Sequence, residues 1–187
     1  MRCTHWLPCL LFLASTAAAS QPVATGPFQS VALRNGGEVV VRHGASQRVE
    51  VISGSPTIKV VGTRLVVDNH RGPHKSRPRV EVVTPSLSAA SVNDGGRMRV
   101  EGFPRQAIIA ASVAQGGMLD LRQLPAERVR ASVNHGGIIW VRAIAGLDAA
   151  ILQGGNVTYW GNPRVRSSVR QGGAVSRGRA DELDKAL

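Results

Sequence analysis

The sequence predicts an all-β protein built as a β-solenoid, on three observations. Gly-Gly pairs begin at Gly95, Gly116, Gly136, Gly154 and Gly172, at steps of 21, 20, 18 and 18 residues. Apolar positions recur at fixed offsets from each pair. Between those positions polar or small residues alternate with them, the period of two that marks a strand with one buried face.

Four columns carry the repeat. Five positions before the first glycine stand Ala90, Ala111, Ala131, Ala149 and Ser167, and three before it Val92, Val113, Val133, Ile151 and Val169. Three after it come Met98, Leu119, Ile139, Val157 and Val175, and five after it Val100, Leu121, Val141 and Tyr159, where the last repeat has Arg177. A pattern fixed at this period predicts coils of about 18–21 residues, each laying equivalent side chains on the next about 4.8 Å away. Helical repeats need units of roughly 33 residues or more and a 3.6 rhythm, and neither is present.

Each glycine pair falls between two strand signals, where the chain must turn through φ values that a Cβ penalises. Gly95, Gly96, Gly116, Gly117, Gly136, Gly137, Gly154, Gly155, Gly172 and Gly173 are therefore read as structural corners. Asp94, Gln115, His135, Gln153 and Gln171 precede them and are expected to form a ladder of side-chain hydrogen bonds, which makes His135 a ladder member rather than a catalyst. Each buried Val, Ile or Leu contributes about 1.5–3 kcal/mol on leaving water, so four stacked columns suffice to hold the coils together.

The half before the regular repeats, residues 20–90, is less periodic. Strand signals cover 39–42, 48–52, 57–61, 65–68 and 79–83, separated by Gly, Ser and Pro. Gly36-Gly37 has Val31, Leu33, Val39 and Val41 at the same four offsets and begins 59 residues before Gly95. That is close to three periods, and predicts one continuous solenoid over 20–177, with regular coils over 91–177. The basic, proline-bearing run from Asp68 to Arg79 is expected to be an exposed loop, and residues 178–187 a tail or cap over the last coil.

The start, MRCTHWLPCLLFLASTAAAS, combines Arg2, an apolar run from Leu7 to Ala14 and small residues after it. It reads as a signal peptide over residues 1–19, cut after Ala19 or Ser20, and the apolar run is too short to span a bilayer. Cys3 and Cys9 would leave with it, so the mature chain is expected to carry no thiol chemistry and to be periplasmic, cell-surface or extracellular. Lys and Arg number 23 against 12 Asp and Glu, and only Lys59, Lys75 and Lys185 are lysines. An arginine surplus of this size favours anionic partners, and equally fits arginine as the solvated outer residue of each strand.

The order of these elements resembles the head GIN domain family of auto-transporter adhesin type, from about Phe28 to Val175. The carrying residues are VVVRHGASQRVEVISG, GTRLVVDN, RVEVVTPSLSAASVNDGG and the successive x-G-G coils. Val82-Val83-Thr84-Pro85-Ser86-Leu87 stands where that family has V-x-x-P-x-L leading into its repetitive part. The resemblance implies a right-handed, parallel β-helix-like solenoid, exported by a bacterium, with no established biochemical activity. The Gly-Gly pattern departs from the family's commoner single-Gly or Gly-Ser corner. The residues outside the resemblance are too few for a translocator barrel, so surface display would need other machinery.

Catalytic chemistry is not expected. A β-helical polysaccharide lyase or glycosidase, the enzymatic outsider, needs clustered carboxylates. Asp94, Glu101, Asp120, Glu127 and Asp148 instead fall at different offsets. His70 and His74 form an H-x3-H pair without further ligands for zinc, so no metal and no cofactor is expected. Asn156-Val157-Thr158 matters only in a glycosylating host.

Binding candidates lie on outward positions. Arg122 and Arg142 stand six after the first glycine on successive coils, Trp160 takes that place on the next, and Trp140 shares the offset of Arg99. An arginine and aromatic strip suits carbohydrate or an anionic surface; equally, the two tryptophans could pack under a loop or tail. A second outward column, Ser91, Ser112, Ser132, Ala150 and Ser168, is uniformly small and could receive another protomer or the N-terminal strands. The function expected is a binding or adhesion module for an anionic glycan, lipopolysaccharide, lipid or envelope protein, with no specific nucleic acid. A structural envelope component without a ligand is the alternative.

Overall fold

The computed structural model describes residues 21–69 and 77–184. The strands are β1 Gln21–Val23, β2 Ser30–Arg34, β3 Glu38–His43, β4 Arg48–Ser53, β5 Thr57–Val61, β6 Arg64–Asp68, β7 Arg79–Thr84, β8 Ala89–Asn93 and β9 Arg97–Glu101. They continue as β10 Gln106–Ala114, β11 Met118–Asn134, β12 Ile138–Gln153, β13 Asn156–Trp160, β14 Arg164–Gln171 and β15 Ala174–Arg177, followed by the short helix α1, Ala180–Asp184. The predicted signal peptide, His70 and His74 lie outside the described residues.

The chain is all-β, but it is not the parallel β-helix solenoid that the repeats predict. All fifteen strands belong to one mixed sheet, which curls on itself into a nearly closed barrel. Strands β1 and β4, β4 and β7, and β5 and β6 pair antiparallel, whereas the glycine repeats pair parallel. β11 runs for 17 residues and β12 for 16, passing without a break from one wall to the other.

The physical reason is that an inward column and a parallel register satisfy a curled sheet as well as a stack of separate coils. What separates the two is whether the ladder stops between the walls, and here Leu124, Ala126 and Ala143 keep apolar residues inward at the bend. The ladder bulges there, with register shifts between Leu121 and Pro125 and between Ala126 and Arg128, and continues.

The register between repeats is regular on both walls. Ala90, Ala111, Ala131, Ala149 and Ser167 are successive ladder partners through β8, β10, β11, β12 and β14. Met98, Leu119, Ile139, Val157 and Val175 are partners through β9, β11, β12, β13 and β15. Side chains from both walls meet in a single apolar cluster inside.

Gly36-Gly37 is not three periods away from Gly95. β2 pairs with β8 and β3 with β9, so its turn lies directly against that of Gly95, and Arg97 N donates to Gly37 O at 2.9 Å. The intervening chain leaves the repeat, forms the antiparallel flank and returns. Its length matched the period by coincidence.

The expected side-chain ladder before the glycines is also replaced. Asp94, Gln115 and His135 are exposed and take φ of 59°, 56° and 58°, a left-handed conformation that Asp and His tolerate better than most residues. The turns stack through the main chain instead: Gln115 N donates to Asn134 O at 2.9 Å, Gly136 N to Gln153 O at 2.8 Å and Gly154 N to Gln171 O at 2.7 Å.

The two glycines of a pair are needed for different reasons. A Cβ on Gly154, at φ 63°, would meet nothing within 4 Å, whereas one on Gly155, at φ 105°, would lie 2.5 Å from Val133 Cγ1 and 2.9 Å from Gly137 O. Gly154→Ala should therefore cost about 1–2 kcal/mol for its backbone conformation alone, and Gly155→Ala roughly 2 kcal/mol more for the overpacking. Equal urea midpoints for the two variants would remove this distinction. Val133, 1% exposed between Val113 and Ile151, gives a second test. Val133→Asp places an unpaired charge in the core and should cost about 4 kcal/mol or more, read as a collapse of the melting temperature.

Candidate functional site

The outward strip read from the sequence lies on the wall formed by β9, β13, β15 and the first halves of β11 and β12. Arg99, Asp120, Trp140, Thr158 and Ser176 are successive ladder partners across it. Arg122 is turned back onto this column: its Nε donates to Asp120 Oδ1 at 3.0 Å and its Nη2 to Asp120 Oδ2 at 2.7 Å. The bidentate pair and the charge of Asp120 raise the Arg122 pKa above its ordinary value, against the opposing effect of burial. The guanidinium carbon lies 4.7 Å from the centre of the Trp140 ring and 5.6 Å from that of Trp160, a double cation–π contact.

The chain's own tail occupies this place. Trp160 is only 4% exposed although it points outward. Its indole Nε1 donates to Arg179 O at 2.7 Å, Gly178 lies against the ring, and Arg122 Nη1 donates to Glu182 O at 3.0 Å. The segment around α1 is thereby held against Arg122 and Trp160 on the outer face. What stays open is a recess of about 380 Å3 between Arg122, Trp140, Thr158, Trp160, Ser176 and Glu182. Arg99 and Arg142 do not line it. Arg99 forms an ion pair with Glu101 at 3.6 Å, and Arg142 sits half-buried beside Trp160 in the ladder.

A second surface covers the wall made by β2, β8, β10, the second halves of β11 and β12, and β14. Its floor is the small column Ser91, Ser112, Ser132, Ala150 and Ser168, which lines an open groove of about 620 Å3. Arg64, Arg130 and Arg166 also line the groove, and with them the single acid Asp148. The groove adjoins a cleft of about 590 Å3 that shares Arg130, Asp148 and Arg166 and adds Arg128, Arg164 and Gly146.

Alternation places these arginines outward. Val129 between Arg128 and Arg130 is buried in the core, and Val165 between Arg164 and Arg166 packs against it. Across the wall, Arg128, Gly146 and Arg164 are ladder partners, as are Arg130, Asp148 and Arg166. None of the four arginines forms an ion pair among the described residues. The sequence reading missed them as a set, although Arg-Val-Arg at 128–130 and 164–166 stands at the same distance before Gly136 and Gly172.

The carboxylates are dispersed. Asp120 is taken by Arg122, Glu101 by Arg42 and Arg99, and Glu127 by Arg105. Among the described residues no three His, Cys, Asp or Glu side chains come together as a metal site, and no helix is long and apolar enough to cross a membrane.

The barrel-shaped sheet and its broad basic face define a class, an all-β protein whose most developed feature is an outer surface. The chain belongs to the family described as "Putative auto-transporter adhesin, head GIN domain", whose sequence model matches residues 27–139 and 107–163. Among solved structures it is similar to a putative adhesin from Bacteroides fragilis, at 15% identity over 88% of this chain and 98% of that one, with a TM-score of 0.49. A putative lipid binding protein from Parabacteroides distasonis is 12% identical over 86% and 96%, and a putative cell adhesion protein from Clostridium sporogenes 7% identical over 86% and 99%, both with a TM-score of 0.36. Among curated proteins none matches the sequence.

The tail contact is testable separately from any ligand. Arg122→Ala leaves Asp120 buried without its partner and removes one anchor of α1, which should cost about 2–4 kcal/mol. Trp160 emission should shift to the red, and trypsin should cut faster after Arg177 and Arg179. Arg142→Ala should change neither.

Proposed function

We propose that this protein is an exported binding module of adhesin type that attaches to an acidic partner, a glycan or lipid surface, through the wall carrying the small-residue groove, and that it catalyses no reaction. The observation that carries the reading is the cluster of four outward arginines on the groove wall without an ion pair among the described residues, where Arg42, Arg99 and Arg122 elsewhere on the barrel are paired. Where β3, β7 and β9 meet, Arg42 bridges to Glu81 at 3.3 Å and to Glu101 at 3.1 Å. On the groove wall Arg128, Arg130, Arg164 and Arg166 lack such partners among the described residues, while the small side chains beside them leave a flat approach. Unpaired arginines on a rigid sheet attract and orient an anionic surface at little conformational cost.

The dispersed carboxylates support binding rather than hydrolysis. A formal net charge of +11 over the full sequence, +10 once Arg2 is removed, adds a long-range attraction that salt screens. The tail packing over Trp160 favours a second reading, a structural envelope component, because it uses the most prominent exterior aromatic internally.

The mature protein, residues 20–187, should sediment with vesicles containing anionic lipid or bind acidic glycans or lipopolysaccharide in low salt, and release in about 0.5 M salt. Absence of binding to every one of these at low salt would leave the structural reading in its place.

A further inference from the structure

The geometry points to a phosphate-binding site on the groove wall, in the cleft between Arg128 and Arg130 of β11 and Arg164 and Arg166 of β14, over Gly146 of β12. This deepens the proposed function, on which it rests, by naming one site and one ligand chemistry.

The arrangement is a rectangle. β12 lies between β11 and β14, so Arg128 and Arg164 flank Gly146, and Arg130 and Arg166 flank Asp148. Strands two apart are separated by about 9.6 Å, wide enough for long side chains on both sides to converge on one tetrahedral group between them. Gly146 keeps the middle open: a Cβ there would meet only Arg128 Cγ, at 3.8 Å, and the cleft above it measures about 590 Å3. A long side chain there would project into the space between the arginines.

Charge selects the ligand class. Four guanidinium groups against Asp148 leave a local surplus of three positive charges, and among the described residues no other carboxylate lines the cleft. A singly charged carboxylate neutralises little of this, whereas a phosphomonoester carries about −1.5 to −2 charges and three acceptor oxygens. Guanidinium forks match such oxygens two at a time. Asp148 opposes the anion directly, and its register between Arg130 and Arg166 sets the sign of one test.

The test uses the mature protein with inorganic phosphate alone, followed by titration calorimetry at constant ionic strength, with acetate as the comparison anion. Phosphate should bind and acetate should not. Arg130→Gln and Arg166→Gln should each weaken phosphate by about tenfold, the loss of one charged hydrogen bond, while Asp148→Asn should tighten it. Gly146→Leu keeps all four charges and should abolish binding by filling the cleft; an unchanged melting temperature checks that it folds. Arg97→Gln, on the other wall, removes the same charge and should have no effect.

Vesicles of phosphatidylcholine with and without phosphatidic acid distinguish the source. Binding only to those with phosphatidic acid, lost in Gly146→Leu, places the site on a lipid headgroup. Phosphate binding without vesicle binding assigns it to a soluble or glycan-borne phosphate. If acetate competes as well as phosphate, or Arg97→Gln weakens binding as much as Arg130→Gln, the cleft is overturned and only diffuse attraction stands. That result leaves the binding-module reading intact, because vesicle or glycan attachment at low salt persists; loss of all attachment would sink the module instead.

Discussion

The second glycine of a pair lets the backbone of one repeat lie directly against the glycine backbone and a buried apolar side chain of the repeat before it, Leu33 at Gly96, a valine at Gly117, Gly137 and Gly155, and Ile151 at Gly173. Gly155 fits between Val133 and Gly137 O in this way, and Gly117 has the same relation to Val92. Asn156 N then donates to Gly137 O at 2.9 Å, and Met118 N to Gly96 O at 3.0 Å, so each turn starts the next strand in step with its neighbour. A strand that slipped by one residue would turn Arg130 inward and Val129 outward. The glycine turns thus set the register of both walls, and every outward column inherits its alignment from them.

Given that alignment, the two walls differ in how they treat arginine. On one, Arg122 is bound by Asp120, stacked against two indole rings and tied to α1, which makes it a clamp for the tail. On the other, arginines alternate with the buried Val129 and the partly buried Val165 and face solvent with a single acid among the described residues around them. Both sets look alike in composition. What separates them is the residue two positions away or one strand across: Asp120 and Trp140 in the first case, Gly146 and the serine column in the second. The proposed attachment to an acidic partner rests on the second arrangement, whose arginines are aligned and, among the described residues, without ion pairs.

Much of this was legible in the repeats. The inward columns, the parallel partnership of Ala111 with Ala131 and Val113 with Val133, and the outward direction of the small column follow directly from offsets to the glycines. The closure of the sheet did not, because Leu124, Ala126 and Ala143 carry buried apolar residues from one wall to the other, and period alone does not say that a ladder passes unbroken through a bulge. Gly36 was misplaced by a spacing that matched three periods, since a chain that leaves the sheet and returns can have any length. Asp94, Gln115 and His135 were read by their side chains when their backbone conformation was the relevant property. Trp160 was ambiguous for a different reason: outward direction follows from parity, but cover by Gly178 and Arg179 depends on where a tail folds.

The unequal repeat lengths explain where the arginine rectangle could form. From Gly116 to Gly136 the step is 20 residues and from Gly136 to Gly154 it is 18, yet Met118 still pairs with Ile138 and Val133 with Ile151. The difference of two is absorbed between Leu121 and Arg128, where the register shifts, and not at the glycine turns or on the groove wall. Beyond the bulge, Arg128, Gly146 and Arg164 follow at equal steps of 18, and so do Arg130, Asp148 and Arg166. Equal steps in a parallel ladder make straight columns across three strands. A gap residue between two arginines therefore stays a gap in space, which makes Gly146, rather than any one arginine, the residue on which the shape of the cleft depends.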